Sequence, residues 1–193
     1  IYLEEIKMKK IIAMLLAALM ALGMVACGAA EETTTTAPAT TEAPAENKVA
    51  VIEPNVDANT LGGKLWNAFV SAKETKPETS AEEMANLLVT NEAIQFMGGA
   101  MPLEANQEFF TGFDNYAITG YESGAIYMPM IGTIPFVGYV FDLAEGADVA
   151  AFVKALTDNA NPRWNICVTA EQTVAGAYGN TVFFLMCPAS IEG

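Results

Sequence analysis

Residues 125–143, AIYMPMIGTIPFVGYVFDL, decide the fold class. Two apolar runs, 125–131 and 136–143, are joined through Gly132-Thr133-Ile134-Pro135. In the second run Phe136, Gly138 and Val140 face one way, and Val137, Tyr139 and Phe141 the other. Both rows are apolar, which is the pattern of a central strand covered on each side. Asp148 then stands ready to cap a helix in which Val149, Phe152, Val153 and Leu156 fall at i, i+3, i+4 and i+7. Asn161-Pro162 closes that helix. A hairpin follows, NICVTAEQTVAGAY (165–178), a turn at Gly179-Asn180, and TVFFLMC (181–187).

Working backward from residue 125, the period changes from two to about 3.6. Ser80 with Glu83 three residues on is a capping box, and Met84, Leu87 and Leu88 give the helix after it an apolar stripe. Before Pro77, Leu61, Leu65, Phe69 and Ala72 mark another helix, with Asp57 or Thr60 as its cap. Gly62 and Gly63 weaken its first turn by ~1 kcal/mol each relative to alanine. Val49 to Ile52 reads as a short edge strand or only a lead-in to the domain, stopped by Pro54. Residues 91–101 carry no clear period, and Gly98-Gly99 marks a turn. Residues 103–110 read as one more short helix. The expected architecture is α+β: N-terminal helices, then a β-β-α-β-β antiparallel sheet with the helices packed on one face.

The chain ahead of this domain, residues 48–193, has a different character. Residues 8–27, MKKIIAMLLAALMALGMVAC, begin with Lys9 and Lys10, run apolar from Ile11 to Val25 and end on small residues before Cys27. That is the three-part plan of a secretory signal, with a lipoprotein cleavage site in place of an ordinary A-x-A site. Met24 stands where the usual lipobox has leucine. A transmembrane helix needs ~20 apolar residues, whereas this run is interrupted by Gly23 and followed by no basic cluster. Residues 1–7 hold Glu4 and Glu5, unsuited to a basic leader, and read as an over-extended start. Residues 27–47 form the lipid-bearing cysteine and a Thr/Ala/Pro/Glu linker with too little apolar surface to offset the entropy of ordering. Its span is at most ~65–70 Å at 3.3–3.6 Å per residue. The expectation is a chain held at the outer face of the cell membrane by lipid on Cys27.

Tyr127-Met128-Pro129-Met130, the strand FVGYVFDLAEG, the helix DVAAFVKAL and the closing strand after Tyr178-Gly179-Asn180-Thr181 resemble a family of small lipoproteins. The family comes from Gram-positive, Clostridia-like gut bacteria and carries a domain of unknown function. The likeness follows element order over most of residues 55–188, though only these short motifs match in letters. The family's helix after the second strand is longer and basic-rich; here it is short, with only Lys154 and Arg163. The resemblance implies a lipoprotein with an α+β module and brings no catalytic residues with it.

Composition narrows the chemistry. The first 26 residues hold three lysines and two glutamates; of nine basic and 23 acidic residues, six and 21 remain beyond them, a net −15. Nucleic acid and anionic lipid are bound through Lys/Arg patches, so neither is an expected partner of this surface. There is no histidine, which excludes Ser-His-Asp and Cys-His catalysis, His-ligated zinc and His-based pH switching. With Cys27 lipidated, Cys167 and Cys187 are too few for a thiolate zinc site, and neither a metal nor a cofactor is expected. A two-residue turn at Gly179-Asn180 sets Cys187 opposite Gln172 and Cys167 opposite Glu192. The two cysteines are then offset by five residues, ~17 Å at ~3.4 Å each, beyond disulfide reach. A turn centred on Ala177 would instead bring them face to face.

The candidate binding surface is EFFTGFDNYAITGYE (108–122), where Phe113, Tyr116 and Tyr121 alternate with Asp114 and Asn115. Aromatic faces beside carboxylates and amides suit stacking on sugars or holding a cationic group; the same spacing also serves a core. Glu104 and Glu108, at i, i+4, are the candidate pair for carboxylate hydrolysis. Asp142, Glu145 and Asp148 around Gly146 lack calcium-loop spacing, and strand-end and helix-capping roles account for them. Binding or assembly, with a glycan, a peptide or an envelope protein, is therefore expected ahead of catalysis. The alternatives are an envelope hydrolase using a carboxylate pair, and a structural partner of an envelope transport system.

Overall fold

The computed structural model describes residues 49–104 and 107–191; the leader, Cys27 and the linker lie outside them. Among the described residues are six strands and three helices. The strands are β1 (Val51–Ile52), β2 (Gly98–Pro102), β3 (Ser123–Pro129), β4 (Val137–Asp142), β5 (Gln172–Tyr178) and β6 (Thr181–Cys187). The helices are α1 (Leu61–Thr75), α2 (Ala81–Val89) and α3 (Val149–Asn159). The sheet is antiparallel throughout, in the order β1-β5-β6-β4-β3-β2.

The expected helices and their caps are present. Thr60 caps α1, its hydroxyl accepting from the Gly63 amide; Ser80 and Glu83 form the full capping box of α2; Asp148 accepts from Ala151 at the start of α3. The hairpin turns at Gly179-Asn180, with Tyr178 opposite Thr181 and Gln172 opposite Cys187, which is the register of a two-residue loop. Val51–Ile52 is an edge strand on β5.

The expectation of helices on one face is corrected. Tyr127, Val140, Phe183 and Leu185 form one core with α1 and α2. Tyr139, Phe141, Phe184 and Met186 form a second core, on the opposite face, with Val153 and Leu156 of α3 and with residues of the 108–122 segment. The cause is visible in β4 and β6: both are apolar on alternate and intervening positions, so one layer of helices would leave Tyr139, Phe141 and Phe184 in water. Burying such a side chain is worth ~1.5–3 kcal/mol, which favours a second cover.

Two further expectations change. Residues 98–102 are a strand, β2, although Gly98-Gly99 reads as a turn. A Cβ at Gly98 would overlap Val89 of α2, so close packing of helix on strand, rather than turn geometry, explains the glycine. The described residues of 103–110 form no helix; the Gln107 amide donates to the Glu104 carbonyl at 3.1 Å. At the centre of the sheet, Tyr127 lies across Gly138, its partner on β4, and its hydroxyl reaches the Phe184 carbonyl of β6 at 3.5 Å.

Candidate functional site

The 108–122 segment is fastened to the sheet. Phe110 is buried and Phe113 is 1 % exposed, with its ring 4.9 Å from Phe184 and 5.9 Å from Tyr139. Tyr139 donates its hydroxyl to the Thr111 carbonyl at 3.0 Å, and burial pushes that phenol well above its ordinary value. Asp114 has φ 46°, a left-handed conformation that aspartate tolerates better than most residues. Its two carboxylate oxygens accept from the Asn161 side chain at 2.9 Å each, and the Asn161 amide donates to the Gly112 carbonyl at 2.7 Å. The segment is thereby pinned to the connection that follows α3.

The five expected binding residues do not share one open surface. Phe113 belongs to the core, so its ring cannot stack on a ligand. Asp114 is exposed but engaged with Asn161. Asn115 is exposed, Tyr116 is half-buried against Phe113 at 6.4 Å, and Tyr121 is half-buried 5.1 Å from Phe141. Physical necessity explains the arrangement. Only α3 and this segment are available to cover the second face, and aromatic rings fill the space that α3 alone leaves.

Tyr121 also lines a recess of about 270 Å³ with Glu82, Pro102, Glu104, Glu122 and Ser123. Behind Ser123 sits Asp142. One of its oxygens accepts from Ser123 Oγ and from the Ala81 amide, both at 2.9 Å, and the other accepts from Thr181 Oγ1 at 2.9 Å. This carboxylate sits at the N-terminus of α2, where the helix dipole favours it, and joins β3, β4, β6 and α2. Glu104 and Glu108 are both exposed, and Glu108 does not line the recess. The described residues of 103–110 form no helix to set them one turn apart. Among the described residues no group of three acidic or cysteine side chains is placed to hold a metal ion.

The larger cavity is a groove of about 550 Å³ between α1, the α2–β2 connection and the C-terminal segment. Asn67 and Gln95 line it, both exposed, with Asn91, Lys64, Glu92 and Ser190. Sequence reading missed this site, because its residues come from three separated stretches with no motif among them. Missed too was Lys73, a lysine 4 % exposed whose ammonium donates to the Pro77 and Thr79 carbonyls at 2.9 Å each. Burial lowers its pKa, against the opposing pull of Asp142 and then Glu78.

Both described cysteines are free, Cys167 exposed and Cys187 buried. Burial, and next Glu171, pushes the Cys187 thiol up to about 12, the opposite of the depression a nucleophilic thiolate needs. Compared with known proteins, the chain matches no family model, no curated sequence and no solved structure.

Proposed function

We propose that this chain is a lipid-anchored, extracytoplasmic module that binds a polar ligand without transforming it, and that the groove beside α1 is its binding site. The observation that carries the reading is the lining of that groove. Asn67 and Gln95 present exposed amide groups and Asn91 its side-chain NH₂, the Asn91 oxygen accepting from the Ala93 amide at 2.9 Å, with Lys64 and Glu92 adding one charge of each sign. A side-chain amide offers two N–H donors and an acceptor oxygen, and the groove's donors and acceptors suit the hydroxyls of a neutral glycan. An apolar ligand would leave those groups unpaired at a cost of ~1–3 kcal/mol apiece.

The anchor rests on the basic, apolar leader that ends in Cys27 and on the acidic linker after it. The resemblance to small lipoproteins supports the same reading. Among the described residues no helix is long and apolar enough to cross a membrane, so the reading asks the lipid to make the attachment.

Titration of the full chain with neutral wall-derived oligosaccharides, followed by calorimetry, tests the site. Binding is expected, with no product formed, and Asn67→Ala or Gln95→Ala should weaken it about tenfold at unchanged Tm. Binding indifferent to both substitutions rejects the groove, and oligosaccharide cleavage rejects the non-catalytic reading.

A further inference from the structure

We infer that the free edge of β2 is a docking site for an extended peptide segment that adds to the sheet as a seventh strand and carries a cationic residue at one end. The inference is independent of the groove. Its first support is the backbone. Among the described residues β2 ends the sheet, paired on one side only, with β3. The Met130 amide donates to the Met97 carbonyl at 2.9 Å, and the Leu103 amide to the Gly124 carbonyl at 2.8 Å. Residues 97 and 103 therefore turn their backbone groups toward β3, and by the alternation of an antiparallel ladder so do 99 and 101. Gly98, Ala100 and Pro102 turn theirs outward. Pro102 has no N–H to offer and stands where none is required by the sheet. Gly98 and Ala100 present a full donor and acceptor each. Edges of this kind are usually blunted by charge or by a bulge; Met97 to Met101 carries neither.

The second support is the surface next to that edge. Met97, Met101 and Met130 are 73, 55 and 63 % exposed, and Ile131 78 %. Met97 and Met101 are odd-numbered, so they lie on the same sheet face as Ile126 and Met128. This is the part of the second face that α3 and the 108–122 segment do not reach. Unbranched, polarizable thioethers adapt to varied apolar side chains. A strand laid along β2 would drop every second side chain beside this methionine row, while its backbone pairs with Gly98 and Ala100.

Charge chooses the occupant. The recess that contains Glu82, Glu104 and Glu122 opens at the Pro102 end of β2. A strand running antiparallel to β2 would bring its N-terminal residue there, and a lysine or arginine at that position would meet three carboxylates. A second copy of the chain fits less well. It would bring another net charge of −14, and its own edge, MGGAM, supplies no cation.

The test uses the ¹⁵N-labelled full chain and four synthetic peptides: lysine followed by alternating valine and threonine, the same with glutamate leading, and two versions of the first, N-methylated at every second residue on one edge or on the other. The lysine-led peptide should bind and move the amide resonances of Gly98 and Ala100. The glutamate-led peptide should bind at least tenfold more weakly. N-methylation of one edge should abolish binding, and of the other leave it within about twofold. Ala100→Pro, which removes an outward N–H without touching the β3 ladder, and Met101→Glu, on the exposed row, should each weaken binding at least tenfold. Unmoved Gly98 and Ala100 resonances, equal loss from N-methylating either edge, or full binding by both variants would overturn the inference. So would a free chain that sediments as a dimer with those two amides already protected.

Discussion

Cys187 shows how much one side chain registers of its surroundings. It lies opposite Gln172, whose side-chain oxygen its thiol meets at 3.7 Å. The native thiol holds its proton to about 12 against an ordinary value of 9.0. Between those two pH values the native chain binds more protons than the unfolded one, so stability falls as pH rises. The loss reaches about 1 kcal/mol by pH 10, a pH unit being worth ~1.36 kcal/mol. Cys187→Ala removes the titrating proton, and the small cavity it leaves costs the same at both pH values. In urea unfolding at pH 7 and pH 10, the parent chain should lose about 1 kcal/mol more between the two than the variant does. Equal losses would assign the titration elsewhere. Tyr121, Tyr127 and Tyr139 are also raised by burial and steepen the fall at higher pH in both proteins. Lys73 acts in the other direction, since its lowered pKa lets stability rise with pH toward 10.5. The position of Cys187 was legible in advance, because a two-residue turn at Gly179-Asn180 fixes every partner along β5 and β6. Lys73 was not. Its partners are carbonyls in the Pro77–Thr79 connection, and no side-chain pattern announces a backbone acceptor.

At the scale of elements, α2 shows the same division between local and distant causes. Its capping box is written in Ser80 and Glu83, four residues in all, and was readable. The Asp142 carboxylate on the Ala81 amide comes from 61 positions away, and no local signal could reveal it. The two should differ in weight. Ser80→Ala should cost about 1 kcal/mol, the usual worth of such a cap. Asp142→Ala leaves the Ala81 amide and the buried Thr181 hydroxyl without their acceptor, while the exposed Ser123 hydroxyl turns to water, and should cost about 2–6 kcal/mol, at ~1–3 per unpaired buried group. Urea midpoints for both variants check the order, and a larger loss from Ser80→Ala would contradict the structure. The 108–122 segment kept both readings, core and ligand surface, for a related reason: aromatic spacing is identical whether the rings meet ligand or sheet. Its rings now have named neighbours. Tyr116→Ala and Tyr121→Ala should each lower stability by about 1–3 kcal/mol as half-buried core truncations, a thermal shift that a purely surface ring would not give. β2 was missed because glycine and methionine carry little strand propensity, and only packing against Val89 makes Gly98 a requirement.

For the whole molecule, the decisive property is that both faces of one sheet are covered by segments that lie between its own strands in sequence. α1 and α2 precede the central strands and cover the first face; the 108–122 segment and α3 cover the second. The domain is thus closed through the core on both sides, and what remains open is at its margins: the amide-lined groove, the acidic recess and the β2 edge. A protein with its binding features at the periphery and a strongly acidic surface gains from being held in place rather than left to diffuse, and Cys27 is the residue that would hold it. If the leader ending at Ala26 is cleaved and Cys27 acylated, labelled palmitate fed to the producing bacterium enters the protein. Cys27→Ala should abolish that label and move the chain from the membrane fraction to the medium. The folded domain, which begins some twenty residues later, should keep its Tm. Label that survives the substitution, or a chain that stays with membranes without it, would mean that something other than this cysteine makes the attachment.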